Sequence, residues 1–324
     1  MSYITISKKN FFHNLDFLTR KLGSKDRLAV VLKDNAYGHG LKEIASLSKE
    51  FGIKKAVVKT EDEALEIEKF FDEIVVLNPS FNHDRYILVV NSLEKLKNAK
   101  PNQTLHLKVD TGMHRNGIMI KEIEKAYEIA SKNSLKIEGA LTHFRSADEL
   151  SSELFWQEKE WERAKKKLEK YFGKNLTFHS ANSATVLRKN SYEDDFARCG
   201  IAIYGYHEMP KSFGEFELKP ILKLFAQKIS SRELKKGSRV GYGGIGVLEK
   251  NSVVSTYDIG YGDGFLRNLY PNLVGRVSMD MVSILGDEDE ICLIDDAKEI
   301  AKQNGTISYD ILVKLNKDIK RVIV

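Results

Sequence analysis

Of 324 residues only 2 are cysteine, Cys199 and Cys292, far apart and without metal-ligand spacing. That excludes a disulfide framework and a cysteine-built metal centre, and both are expected as reduced thiols. Prolines number only 5, and no Ser/Gly-rich linker interrupts the chain, so its parts are expected to pack tightly. No apolar run approaches transmembrane length, so no membrane association is expected. Charge of one sign is also scarce, with 51 Lys and Arg against 46 Asp and Glu and a net charge of +5. The densest basic run, Lys165-Lys166-Lys167, is interleaved with Glu162, Leu168 and Glu169. It reads as the solvated face of a helix, and no nucleic-acid partner is expected. The beginning, Met1-Ser2-Tyr3-Ile4, lacks a signal-peptide layout, and the expected location is cytoplasmic.

What is present is an ordinary globular composition, 42% hydrophobic and 30% charged, with length for one large barrel and a smaller domain. Residues Tyr3 to Ile6 alternate as a strand, and Phe11, Leu15, Leu18 and Leu22 recur at helical spacing. Short apolar runs follow near 28–32, 55–58, 74–77, 86–90, 104–109, 137–142, 176–179 and 200–204. Helical patterns separate most of them, the clearest at 151–171, whereas 78–85 is short and too weakly patterned to predict a helix. Eight strands alternating with helices predict an α/β fold, a TIM-type (β/α)8 barrel over 8–212, with a doubly wound sheet as the alternative. Over 213–324 helical periodicity disappears. Alternating runs separated by glycine turns predict a smaller, mostly antiparallel β domain, which the strand at 1–7 is expected to join. The acidic run Asp287-Glu288-Asp289-Glu290 reads as a solvated hairpin tip.

Chemistry on such barrels sits at the C-terminal ends of strands. Polar residues gather there repeatedly: Lys33, then Lys108 to Arg115, His143, His179 to Ser183, and Arg198-Cys199-Gly200. A lysine entering an apolar wall loses hydration, so its pKa can fall and its amine can become a usable nucleophile. Ser183 opens a helix and Gly200 lets the backbone approach an anion closely. Phosphate at one side of the mouth and a lysine at the other suit a phosphorylated aldehyde such as pyridoxal phosphate.

The run Leu32-Lys33-Asp34-Asn35-Ala36-Tyr37-Gly38-His39-Gly40 is highly specific. With Lys108 to Arg115, His143, His179, Arg198 to Gly205, Val240-Gly241-Tyr242-Gly243, Ile259 to Gly264, Gly275 to Asp280 and Ile307-Ser308-Tyr309, it resembles the alanine racemases of fold-type III from end to end. That resemblance implies interconversion of L- and D-alanine, supplying peptidoglycan, by a homodimer with shared sites. Lys33 would hold pyridoxal 5'-phosphate and act as one base, and Tyr242 of the partner subunit as the other. Tyr37, Ser183, Tyr309 and the N–H groups of Gly200 and Ile201 would hold the phosphate. His143 would lie beside the ring and Arg198 at the pyridine nitrogen. Arg115 and the partner subunit's Met279 would place the substrate carboxylate. Tyr261, Arg276 and Asp148 would line the entrance, and no metal is implied. Lys108 is either carbamylated, as in some members, to steady Arg115, or unmodified and paired with a neighbour. Departures are Asp34 where alanine is common, Cys199 where proline or another residue is usual, and a shorter stretch between Tyr261 and Met279. A broader amino-acid or serine racemase is the nearest alternative. A non-catalytic carrier of the cofactor is a further one, although such carriers lack the β domain.

Overall fold

A computed structural model describes residues 1–266 and 272–324. The first strand, β1 (Tyr3–Ile6), leads into α1 (Lys8–Leu22), which Ser7 caps by accepting the Asn10 N–H. Then come β2 (Leu28–Val31), α2 (Lys33–Tyr37), α3 (Leu41–Phe51), β3 (Lys55–Val58), α4 (Glu61–Ile67), β4 (Glu73–Val76) and β5 (Ile87–Val90). They are followed by α5 (Leu93–Leu96), β6 (Thr104–Asp110), the two-residue β7 (Ile118–Met119), α6 (Ile123–Lys132) and β8 (Ile137–Leu141). α7 (Glu153–Phe172), β9 (Thr177–His179), α8 (Ser183–Arg188) and β10 (Ala197–Cys199) complete this part.

Eight of these strands form one parallel sheet in the order β10-β2-β3-β4-β5-β6-β8-β9. Backbone bonds from Asp195 N–H to Phe178 O (2.9 Å) and Arg198 N–H to Ala181 O (2.9 Å) bridge β9 to β10. The sheet is thus a nearly closed barrel, and the doubly wound alternative falls. Side chains alternate across it. Ala29, Val31, Val57, Val75, Val89 and Leu141 form an inner cluster. Leu28, Val30, Val58, Val76, Leu105 and Leu107 join the larger core beneath the helices.

One expectation needs correction here. The eighth strand is Ala197–Cys199, not the run 200–204, whose residues Ile201–Tyr204 form a 3-10 turn. All four are buried, and a short apolar run buried on every side carries no period to separate strand from helix. The stretch 78–85 has no helix, as expected. There the buried Glu61 carboxylate accepts the N–H groups of Ser80, Asn82 and His83, satisfying backbone that no helix pairs.

The remaining strands are β11 (Leu222–Leu234), β12 (Arg239–Val240), β13 (Gly246–Val247), β14 (Ser252–Tyr257), β15 (Val282–Leu285), β16 (Glu290–Ile294) and β17 (Lys320–Ile323). One sheet runs β15-β14-β11-β1-β17, with β16 also on β11. β1 lies antiparallel to β11 and parallel to β17. Contrary to the expected loss of helical structure after residue 213, this region holds α9 (Ala297–Gln303) and α10 (Ser308–Val313). Each is under two turns, too short for its period to stand out. The acidic run is not a hairpin tip either: β15 pairs with β14 and β16 with β11, so the run crosses between strands. Lys228 holds Asp287 at 3.1 Å and Asp289 at 2.8 Å there. The shortened stretch between Tyr261 and Met279 includes 267–271, which lie outside the described residues.

Candidate active site

A cavity of about 420 Å³ opens at the C-terminal ends of the barrel strands. Its wall includes Lys33, Tyr37, Lys108, Arg115, His143, Asp148, Ser183, Arg198, Gly200, Ile201 and Tyr309. Strand phase explains the convergence. Lys33 continues the inward face of Ala29 and Val31, while His106 and Lys108 share one face of β6 opposite the core residues Leu105 and Leu107.

The chain after Lys33 turns in an unusual way. Asp34, Asn35, Ala36 and Tyr37 all have left-handed φ values of 53, 55, 51 and 53°. For non-glycine residues this costs roughly 1–2 kcal/mol each. Surrounding bonds offset that strain. Asn35 Oδ1 accepts the Leu41 N–H (2.9 Å), Glu63 accepts the Asp34 N–H (2.7 Å), and Arg321 donates to Gly38 O (2.8 Å). Buried His39 donates from Nδ1 to Ala36 O (3.0 Å) and stacks on Tyr204 at 4.2 Å, as a structural imidazole. Asp34 turns outward to Lys59 at 3.0 Å, so its charge is met away from Lys33.

On the other side Ser183, capped into α8 by Asn182, accepts the Gly200 N–H at 3.0 Å and the Ala202 N–H at 3.4 Å. Tyr37 packs against Tyr204 at 5.2 Å and Tyr309 at 5.7 Å. Both Tyr37 and Tyr309 are raised well above the ordinary phenol range, by burial first, so both remain hydroxyl donors. A Cβ on Gly200 would meet Tyr37 Oη at 2.6 Å, so glycine there leaves room for the Tyr37 hydroxyl.

Arg198 is buried and firmly held. It donates to His179 Nδ1 (2.8 Å), to Thr142 O (2.6 Å) and to His179 O. An imidazole accepting at Nδ1 carries its proton on Nε2, which then donates to His106 Nδ1 at 2.9 Å. Burial first, then Arg198, keeps His179 far below the usual imidazole pKa, and burial brings His106 down to about 3. His143 is likewise lowered to about 3, by burial and then by Arg198, Lys108, Arg115 and Lys33. The same crowding lowers Lys108 to about 8, with burial first and then Arg198 and Arg115, and its amine bonds Asn116.

The cavity wall does not include Tyr242, Tyr261, Met279 or Arg276. Tyr242 is 70% and Met279 62% exposed on the β-domain side. Sequence reasoning missed Arg145 and Glu208, both in the wall. Arg145 donates to Gly112 O at 2.7 Å, bracing the loop that carries Arg115, and pairs with Glu153. Each acts through partners distant in sequence, so no local spacing announces it. His114 is an exposed partner of Asp110 at 3.4 Å.

Hydroxyls and N–H groups clustered across a barrel mouth from an amine suit a phosphate with an aldehyde at its far end. The donor set contains neutral donors, and the cavity has the size of a small-molecule site. Fold and site together thus define a pyridoxal-phosphate enzyme built from a parallel barrel and a β domain. Two family descriptions account for nearly the whole chain: alanine racemase, N-terminal domain, over residues 6–208, and alanine racemase, C-terminal domain, over 221–323. The chain belongs to the alanine racemase family, whose members depend on pyridoxal phosphate. It is 48% identical over 329 residues to an alanine racemase of a Nitratiruptor species, covering 99% of each chain. It is 44% identical over 336 residues to that of Campylobacter jejuni subsp. doylei, covering 100% of each. Among solved structures, alanine racemase from Bacillus anthracis with bound L-Ala-P superposes with a TM-score of 0.90 at 26% identity, covering 100% of this chain and 95% of that one. A histidine racemase from Leuconostoc mesenteroides superposes at 0.88 with 25% identity, covering 100% and 98%. Among the described residues no helix is long and apolar enough to cross a membrane.

Proposed function

We propose that this chain interconverts L- and D-alanine in the cytoplasm, supplying peptidoglycan synthesis, as a homodimer in which each subunit completes the other's site. The observation that carries this reading is the division of the machinery. Lys33, the anion cup, Arg198 and Arg115 share one cavity, while Tyr242 and Met279 stand exposed outside it. A second copy in closed two-fold arrangement brings an exposed β-domain face to each barrel mouth.

Tyr37, Ser183, Tyr309 and the N–H groups of Gly200 and Ile201 hold the cofactor phosphate, and Lys33 anchors the other end. Bound pyridoxal phosphate supplies an electron sink that acidifies the Cα–H of the amino acid. Lys33 exchanges a proton with Cα on one face, and Tyr242 of the partner subunit does so on the other. One base per face is the simplest arrangement for inverting a centre, and either group can take or give a proton. Arg115, with Met279 of the partner subunit, orients the carboxylate. Lys108 carries either a carbamate or a free amine bonded to Asn116, and in both forms it lies near Arg115. Asp148, with Tyr261 and Arg276 of the partner subunit, lines the approach. His143 stays neutral near the ring. Arg198, whose guanidinium keeps its proton, would disfavour protonation of the pyridine nitrogen, which would weaken the sink and favour racemisation over transamination. An unchanged ratio of the two reactions in Arg198→Glu would refute that last role.

The test is a D-alanine time course from L-alanine with added cofactor. Wild type should form D-alanine, Lys33→Ala should not, and Tyr242→Phe should keep the cofactor but lose most turnover. No D-alanine from cofactor-loaded wild type would overturn the reading. A broader substrate range is the second reading, favoured by the shared fold of the Leuconostoc histidine racemase. Parallel assays with serine and histidine decide it.

A further inference from the structure

The anion cup is assembled from two separate parts of the chain. Ser183, Gly200 and Ile201 come from the barrel, whereas Tyr309 stands on α10, over 100 residues later. α10 begins at Ser308, and its N-cap residue, Ile307, offers no side-chain acceptor. The acceptor comes from the barrel instead. Glu208 Oε1 takes the Ser308 N–H at 3.0 Å and the Ser308 hydroxyl at 2.7 Å. Ser308 is fully buried, so these two donors have no solvent to turn to. Glu208 also belongs to the segment that continues from Gly200 through the turn Ile201–Tyr204, and it lines the same cavity. One carboxylate therefore clamps the residue next to Tyr309 onto the segment that carries the backbone donors.

We propose that Glu208 is a positioning residue that sets the Tyr309 hydroxyl against the barrel half of the cup, so that cofactor affinity depends on Glu208 through Tyr309. The proposal rests on the reading that Tyr309 holds the cofactor phosphate. Only the acceptor oxygen is needed, because both bonds go to one atom, Oε1. An amide oxygen can replace it, and a methyl group cannot.

The test is the dissociation constant for pyridoxal phosphate, measured by absorbance titration of resolved enzyme. Wild type is compared with Glu208→Gln, Glu208→Ala, Tyr309→Phe and the double variant Glu208→Ala/Tyr309→Phe. Tyr309→Phe and Glu208→Ala should each weaken binding about tenfold, the scale of a lost hydrogen bond in a buried site. Glu208→Gln should stay within about twofold of wild type. The double variant should bind no worse than Tyr309→Phe alone, because Glu208 acts through that hydroxyl. Wild-type affinity in Glu208→Ala, or losses that multiply in the double variant, would overturn the proposal. Full affinity in Tyr309→Phe would instead overturn the phosphate role of Tyr309 on which the proposal stands. Should Glu208→Ala fail to fold, Glu208→Asp replaces it, since one methylene fewer withdraws the acceptor from Ser308 and should give the same coupled loss.

Discussion

Lowering the pH from 7 to 5 should cost this protein much of its stability, and the source is its buried imidazoles. His39, His106 and His143 are each brought down to about 3 by burial, against an ordinary value of 6.5. Below pH 6.5 the unfolded chain takes up protons that the folded chain refuses. Stability is therefore fully present above the unfolded value and is lost as the pH falls toward the folded one. At pH 5 each such histidine costs about 2 kcal/mol, and three together about 6 kcal/mol, comparable to the whole stability of many domains. The lowered carboxylates Asp110, Asp287 and Asp310 titrate below the ordinary carboxylate range, outside this window. Denaturant unfolding at pH 7, 6 and 5 and constant protein concentration reads the effect directly. His106→Asn should reduce the loss between pH 7 and 5 by about 2 kcal/mol. A stability unchanged over that range would refute the reasoning, because it would mean that these imidazoles charge in place.

Other perturbations follow from the same geometry. Gly200→Ala puts a Cβ 2.6 Å from Tyr37 Oη and should weaken cofactor binding about tenfold or more in an absorbance titration. In the cofactor-free protein, the lowered Lys108 makes the charged amine a burden below pH 8 that is relieved as pH rises toward 10.5. Wild type should therefore gain about 3 kcal/mol across that range relative to Lys108→Met, by denaturant unfolding. Asp34→Asn removes only a partly exposed pair with Lys59, so it should cost under about 1 kcal/mol in the same assay and leave cofactor affinity unchanged.

Residues that act from consecutive positions were the legible ones. The run from Leu32 to Gly40 announces a lysine followed by a tight turn, and the structure bears out the turn through Gly38 and Gly40, both at positive φ. The left-handed path of Asp34 to Tyr37 was not legible, because tertiary bonds from Glu63 and Arg321 stabilise it. Eight short apolar runs alternating with helical patterns make the barrel readable, yet the last of those runs, 200–204, is not the eighth strand. The true strand contains Arg198, a charged residue that looks out of place until its bonds to Thr142 and His179 are known. Helices α9 and α10 were hidden by their length. Glu208 and Arg145 were hidden because each answers a backbone group far along the chain, Ser308 and Gly112.

The most direct test of shared sites is complementation between two inactive variants. Lys33→Ala, expected to be inactive alone, and Tyr242→Phe, expected to lose most turnover alone, are unfolded and refolded together, and D-alanine formation above the sum of the two is measured. With sites built across a two-fold axis, half of the randomly assembled dimers are mixed, and each of these has one site with both bases. About a quarter of wild-type turnover should return. No recovery from a preparation shown to contain mixed dimers would contradict the shared site.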